Sequence, residues 1–321
     1  MMRSFGAVAW RSFAGALREP ALLVAVLAAL CLLALAPLGT AFGFREQQGL
    51  VRDIGLSTIF LGGILAAMVA GTQRESDALR ALVMTRPIGP AAYFLGGLAG
   101  AALAGAVAAA AIACMGAVLL RDAPGLAFDG ESWVYAAAAG LLALGAGAWR
   151  SFRGGRSFSS GALGALCVLS AAAACVAFAR APGGGLRAAL SDADVLLLQA
   201  EVLTLCAGLA VLSAVWSGSM LLGRPCGILA GGAVIVLGQV KESFGAVLDA
   251  IPLPLGLLVP NFQLVWGGDF FYGDITVLPW SFVARGAAAL CAWAAGAALL
   301  GLTCFPCRSG RGVRALESGA G

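Results

Sequence analysis

The chain has 321 residues, of which 61% are hydrophobic and 11% are charged, whereas about 25% of the residues in a soluble globular domain are charged. The composition therefore excludes an ordinary soluble enzyme, because so few charges cannot cover a water-facing surface. The absence of histidine excludes Ser-His-Asp triads, Cys-His dyads and every metal site that contains histidine. Cys304 and Cys307 lack the second cysteine pair of a structural zinc site, so no metal is expected.

The first 19 residues combine Arg3, Arg11 and Arg18 with apolar and aromatic side chains. This pattern is typical of an amphipathic helix in the headgroup layer of a bilayer, and we predict such an interfacial helix over residues 1–19. A basic cytoplasmic leader without that role is the alternative. The uncharged run that follows is too long for the apolar core of a secretory signal, so we expect this segment to be retained.

Long runs with few or no charges fill the rest of the chain, and a helix needs roughly 20 apolar residues to cross a bilayer core about 30 Å thick. The sequence therefore predicts an all-α, polytopic transmembrane bundle of about eight spans, in a single domain over residues 20–305. The predicted spans lie at about 20–44, 54–73, 88–120, 132–149, 157–179, 195–216, 225–241 and 284–305.

Eight crossings would place both termini on the same side of the membrane. With the termini in the cytoplasm, most of the 20 Lys and Arg residues fall on the cytoplasmic side, as the positive-inside rule requires. We therefore expect a multi-pass protein of the cell (inner) membrane with a cytoplasmic tail over residues 306–321.

Residues 73–90 form the most polar of the predicted cytoplasmic loops. Leu79, Leu82 and Val83 fall on one side of a helix drawn through this loop, with charged residues elsewhere, which predicts a short amphipathic helix. Arg86-Pro87 ends it, because the residue before a proline is pushed out of helical geometry. Such a helix either lies on the membrane surface or docks a soluble partner.

One acidic residue, Glu201, falls inside a predicted span, close to Gln199 and Thr204. A central carboxylate costs roughly 3 kcal/mol on insertion scales, and the surrounding leucines and valines offset that cost. Glu201 either lines a transport pathway or pairs with another span, or it reaches the outer interface beside the acids that precede the span. Arg285 is a candidate partner for it.

The stretch from Gly71 to Gly100 resembles the loop after the second span of type-2 ABC exporter permeases. That family has a polar helix with a glutamate, a Leu-Leu-x-x-Pro-[Val/Ile] element and a Tyr-x-x-Gly-Lys-x-x-Gly opening of the third span. The chain departs from the pattern at residues 89–92 and at Gly97, where the family has polar residues and a lysine. The matching residues are Glu75, Leu82, Arg86, Pro87, Ile88, Tyr93, Gly96 and Gly100.

Residues 250–283, which overlap a predicted outer segment over 242–280, resemble the outer segment before the last span of the same family. The sequence LREPALLVAVLAAL near the N-terminus resembles the family's elbow into the first span. The family usually has six spans, so the resemblance implies that this chain inserts an extra pair of spans at 132–179. The matching residues of the outer segment are Pro260, Asn261, Phe262, Trp266 and Trp280.

The resemblance implies a permease subunit of an ATP-driven exporter that pairs with a second permease chain, like or unlike, and with a separate ATPase subunit. The chain lacks a G-x-x-x-x-G-K-[ST] phosphate loop, so ATP and Mg are expected on the ATPase, and this chain is predicted to be neither an enzyme nor a cofactor-binding protein. The expected surroundings are a lipid bilayer, and nucleic acid is not an expected partner. The implied ATPase-coupling residues are Glu75, Asp77, Leu79, Arg80, Leu82, Val83, Arg86 and Pro87.

The predicted pathway residues are Gln199, Glu201 and Thr204, and Pro260, Asn261 and Trp266 mark the outer segment. The sequence has no ring of charged residues, which favours a hydrophobic or amphipathic substrate. The alternative function is a secondary transporter or channel that works without an ATPase. That class usually carries several ionisable groups within the membrane, whereas this chain offers one.

Overall fold

The computed structural model describes residues 2–35, 47–72, 88–120, 130–179, 192–241, 259–265 and 277–318. Within these ranges the regular structure consists of nine α-helices and a 3₁₀ turn at Gln263–Val265, and no strand is present. The all-α prediction is confirmed. The helices are α1 (Met2–Arg18), α2 (Pro20–Leu35), α3 (Gln47–Gly71), α4 (Pro90–Leu120), α5 (Gly130–Gly154), α6 (Phe158–Ala179), α7 (Asp192–Leu222), α8 (Arg224–Val240) and α9 (Trp280–Ser318).

Five of the described helices, α3, α4, α6, α7 and α9, contain stretches long and apolar enough to cross a membrane, and α1 with α2 could make a sixth span. These helices support a multi-pass membrane protein, but they account for only five or six of the eight predicted spans. The remaining two predicted spans are the short ones. α8 has 17 residues, and charged residues at both ends of α5 limit its uncharged run to residues 132–149.

A bend of 59° separates α1 from α2. Pro20 begins α2, at a position where the missing amide hydrogen of proline costs no helical hydrogen bond, and Glu19 lies at the break. The Ser159 hydroxyl of α6 donates a hydrogen bond of 2.7 Å to the Arg18 carbonyl oxygen. The Glu19 carboxylate lies 3.6 Å from the Arg224 guanidinium of α8. The first helix is thus a separate element, held at an angle to the next one.

α1 packs across the beginning of α4. The two backbones approach so closely that a Cβ atom at Gly100 would overlap the carbonyl oxygen of Ala9. At the same crossing, the Ser12 hydroxyl donates a hydrogen bond of 2.9 Å to the Gly97 carbonyl oxygen. Small residues that let helices approach in this way are typical of packing within membranes.

Substituting leucine for Gly100 is expected to destabilise the protein by about 1 to 3 kcal/mol, because the added side chain has no space between α1 and α4. Thermal unfolding in detergent micelles would measure the change. Gly164→Leu in α6 is a matched control, since a Cβ atom at Gly164 meets no atom within 4 Å. Equal midpoints for the two variants would contradict the close packing of α1 on α4.

α7 is the central helix of the bundle and contacts α3, α4, α8 and α9. One cluster of buried side chains joins α2, α3, α4, α5 and α6 to Ala200 of α7. A second joins α1, α3, α4, α7 and α9, and a third joins α3, α7 and α9 to residues 262–265. α9 continues as a helix to Ser318, so the predicted tail begins as an extension of the last span. The three predicted pathway residues therefore lie on a helix that packs against four others.

Candidate functional site

The residues predicted to contact an ATPase belong to a segment outside the described residues, so their arrangement stays a prediction. These are Glu75, Asp77, Leu79, Arg80, Leu82, Val83, Arg86 and Pro87. Both ends of the segment are described. The Thr72 hydroxyl donates a hydrogen bond of 2.8 Å to the Val69 carbonyl oxygen at the end of α3, and Pro90 begins α4.

Four aromatic rings gather where this segment rejoins the bundle. Phe94 of α4 lies 6.5 Å from Trp216 of α7 and 5.8 Å from Phe305 of α9, measured between ring centroids. Tyr93 stacks on Phe305 at 6.0 Å. We call these four residues the aromatic cluster. Ile88, the first described residue after the segment, packs against the same core, which joins α4, α7 and α9.

Gln199 connects α7 to the backbone that leads into α9. Its side chain is fully buried. Its amide nitrogen donates a hydrogen bond of 2.8 Å to the Leu278 carbonyl oxygen, and its amide oxygen accepts one of 3.1 Å from the Leu278 amide nitrogen. One side chain therefore satisfies both backbone polar groups of Leu278, a buried residue outside any helix. The pathway role of Gln199 stays a prediction, but in this structure its amide holds the outer segment.

Thr204 is buried between α7 and α3. Its hydroxyl donates a hydrogen bond of 2.8 Å to the Ala200 carbonyl oxygen in its own helix. Its methyl group lies against Gly63, where a Cβ atom would come within 2.7 Å of it. Thr204 therefore acts first as a small packing residue that allows α3 to approach α7.

Glu201 is only partly buried and faces α4, where Cys114 lies within electrostatic range of its carboxylate. Within the described part of the chain, no hydrogen bond or ion pair engages this carboxylate. Arg285, the candidate partner, instead donates a hydrogen bond of 3.1 Å to the Ser281 carbonyl oxygen of its own helix. The structure thus does not bring Glu201 and Arg285 together.

An apolar groove of about 480 Å³ lies between α3, α4 and α7. Alanines of α4, among them Ala102 and Ala106, form one wall, and Gly208 and Leu205 of α7 form another. Glu201 lies one helical turn before Leu205 on the same side of α7, because residues four apart share a helix face. The carboxylate therefore stands beyond one end of an otherwise apolar groove.

The outer segment is anchored by a residue that follows the predicted Pro-Asn pair. Phe262 is fully buried, and its amide nitrogen donates a hydrogen bond of 3.0 Å to the Gly238 carbonyl oxygen of α8. The ring meets Phe60 of α3 edge to face at 6.1 Å. A Cβ atom at Gly238 would come within 2.5 Å of the ring, so the glycine forms the floor of the pocket that receives Phe262.

A second contact closes the same end of α8. The Lys241 ammonium group donates a hydrogen bond of 2.8 Å to the Val259 carbonyl oxygen. Pro260 is buried and Asn261 is half-buried beside it, while Trp266 lies outside the described residues. The predicted outer-segment residues that are described therefore hold a short piece of chain against α3, α7 and α8.

Comparisons with models of protein families, with curated proteins and with solved structures each found no match. The likeness to exporter permeases therefore rests on the sequence motifs given above. Within the described residues, no group of three or more cysteine and acidic side chains is arranged to hold a metal ion.

Sequence reasoning missed two features of this site. The first is the contact between Gln199 and Leu278, which are far apart in the chain. The second is the thiol pair between α7 and α9, where the Sγ atoms of Cys206 and Cys291 lie 3.8 Å apart and Cys206 also lines the groove. Neither feature leaves a local pattern in the sequence, because each depends on how two distant helices pack.

Proposed function

We propose that this chain is the membrane permease subunit of an ATP-driven exporter, with both termini in the cytoplasm of the cell that makes it. A separate ATPase subunit would supply ATP hydrolysis, and a second permease chain would complete the transport pathway. The observation that carries the proposal is the resemblance of residues 71–100 to the corresponding loop of type-2 exporter permeases.

The positions of the matched residues support this proposal. Tyr93 belongs to the aromatic cluster, and Gly96 and Gly100 form the surface of α4 on which α1 packs. A loop attached to this cluster is well placed to act as a lever, because three helices meet there. Movement of residues 73–87 by an ATPase would thereby reach α7, which borders the groove and holds the outer segment.

The groove supports a hydrophobic or amphipathic substrate. Its walls are almost wholly apolar, and such surfaces recognise substrates by burying apolar area rather than by hydrogen bonds. Gln199 and Phe262 would keep the outer segment closed over the end of the bundle. Substrate release would then require these contacts to rearrange, as alternating access demands of the outward-facing side.

A secondary transporter or channel is the second candidate. It is favoured by the carboxylate of Glu201, since an ionisable group within a membrane commonly marks an ion or proton pathway. A single such group offers no relay across the bilayer. The exporter is therefore the better account.

Affinity purification of the full-length protein in mild detergent, followed by mass spectrometry, tests the proposal. We expect an ABC-type ATPase to co-purify with the native chain and to be lost from Leu82→Asp, because the new charge would disrupt an apolar docking face. Gly89→Asp is the matched control. It introduces the same charge in the same loop but after the implied coupling residues, at an exposed position where a Cβ atom meets nothing within 4 Å.

Recovery of the ATPase with the native chain and both variants would keep the exporter but disprove the coupling role of Leu82. Absence of any ATPase from the native, folded protein would overturn the exporter in favour of the transporter or channel. Loss from both variants would show that added charge, rather than the Leu82 face, disrupts the complex, and this result would also disprove the assigned docking face.

A further inference from the structure

The hairpin of α5 and α6 lies at the edge of the bundle. α5 packs chiefly on α6, and α6 in turn packs on α4 and touches α1 and α2. Large apolar side chains cover the outer face of α5, including Leu141, which is 70% exposed, and Leu142. The hairpin therefore presents a broad surface to the lipid rather than closing the core.

Arginines and aromatic rings alternate where α5 turns into α6. Gly155 has a φ of +56°, which glycine adopts without strain, and this residue makes a tight turn possible between the two helices. The Arg153 guanidinium lies 4.3 Å from the centre of the Trp149 ring. Phe152 is 91% exposed. We call the exposed side chains of this region the basic turn, which consists of Trp149, Arg150, Phe152, Arg153, Arg156 and Phe158.

Among the described residues, no acidic side chain pairs with the basic turn. The chain contains neither Asp nor Glu between Glu131 and Asp192. Within the described ranges, Arg150, Arg153 and Arg156 form no ion pair. Glu19, at the bend after α1, lies against Arg224 instead. The basic turn therefore carries a local positive charge.

α1 extends the same surface. The hydrogen bond from the Ser159 hydroxyl to the Arg18 carbonyl oxygen fixes the end of α1 beside the beginning of α6, so both elements lie at one level. Trp10 of α1 is 68% exposed and lies 5.5 Å from the Phe13 ring. Exposed aromatic rings among arginines are costly in water but favourable in the layer between headgroups and acyl chains.

We propose that the basic turn, together with α1, binds the headgroups of anionic phospholipids in the adjoining leaflet. The guanidinium groups would contact lipid phosphates, and Trp149, Phe152 and Trp10 would insert at the level of the glycerol backbone. The hairpin at 130–179 thus acquires a role of its own, which is to attach the protein to an anionic annulus of lipid. This role does not depend on the exporter function proposed above.

Native mass spectrometry of the full-length protein with equal amounts of phosphatidylglycerol and phosphatidylcholine, with matched acyl chains, tests this proposal. Each arginine near an anionic surface changes lipid affinity about fivefold at low salt. We expect the native chain to retain phosphatidylglycerol preferentially. In the variant with Arg150, Arg153 and Arg156 each changed to Gln, that preference should be at least about tenfold smaller. Arg153→Gln alone should lose about fivefold.

Arg285→Gln is the matched control for the single variant. Arg285 is exposed near the beginning of α9, at the opposite end of the bundle, and its loss should leave the preference unchanged. An unchanged preference in the triple variant would overturn the proposal. Displacement of the bound phosphatidylglycerol by millimolar inorganic phosphate would also overturn it in favour of a free-phosphate site. Loss of a bound second protein chain from the triple variant, with lipid binding intact, would assign the surface to a protein partner instead.

Discussion

Substituting leucine for Gln199 is expected to lower the free energy of unfolding by about 2 to 4 kcal/mol, because the buried amide nitrogen and carbonyl oxygen of Leu278 would both lose their hydrogen-bond partner. Leucine has a similar volume, so the loss reflects the hydrogen bonds rather than a cavity. Thermal unfolding in detergent micelles, followed by tryptophan fluorescence, should show the midpoint falling by about 5 to 10 °C.

Gln239→Leu is the control for this prediction. Gln239 is half-buried in α8, and its amide nitrogen has no hydrogen-bond partner among the residues that the structure describes. Removing this amide should therefore leave the midpoint unchanged or raise it slightly. If both substitutions lower the midpoint equally, the hydrogen bonds between Gln199 and Leu278 do not stabilise the protein.

Substituting alanine for Phe262 should cost about 3 to 5 kcal/mol, since the pocket above Gly238 would be left as a cavity. The ring also forms the edge-to-face contact with Phe60. The expected result is a lower unfolding midpoint together with faster proteolysis of the outer segment, measured by the appearance of two fragments under limiting protease.

Phe152→Ala makes the same chemical change at a side chain that is 91% exposed. This control variant should unfold at the native midpoint and resist protease as the native chain does. Equal proteolysis of the native chain and Phe262→Ala would show that the outer segment is held by other contacts, with Lys241 the first to test.

The long apolar runs identified most helices from the sequence, because every membrane crossing requires roughly 20 apolar residues in succession. The run predicted at 225–241 is found as Arg224–Val240, and the run at 195–216 lies within Asp192–Leu222. The bend between α1 and α2 also lies at the boundary between residues 19 and 20 that the sequence predicts. The number of spans does not follow from the runs alone, because a run of about 17 residues is the shortest that can cross the bilayer.

The contacts of the predicted site could not be read from the sequence. Gln199 and Glu201 are two residues apart, which places their side chains on different sides of α7. Gln199 reaches Leu278, whereas Glu201 faces α4. Which of the two side chains meets the outer segment depends on how α9 packs on α7. Pro260 and Asn261 marked the outer segment through the family resemblance, but they did not predict that Phe262 would enter a pocket opposite Gly238.

The bend after α1 has a consequence for how the protein is made. α1 leaves the ribosome before the helices that hold it, because it packs on α4, its last residue accepts a hydrogen bond from Ser159 of α6, and Glu19, which follows it, lies against Arg224 of α8. Its final position is therefore unavailable until synthesis has passed Arg224. Until then, the amphipathic character of α1 suits it to remain on the membrane surface. α1 is thus fixed in place only after much of the described bundle has been synthesised.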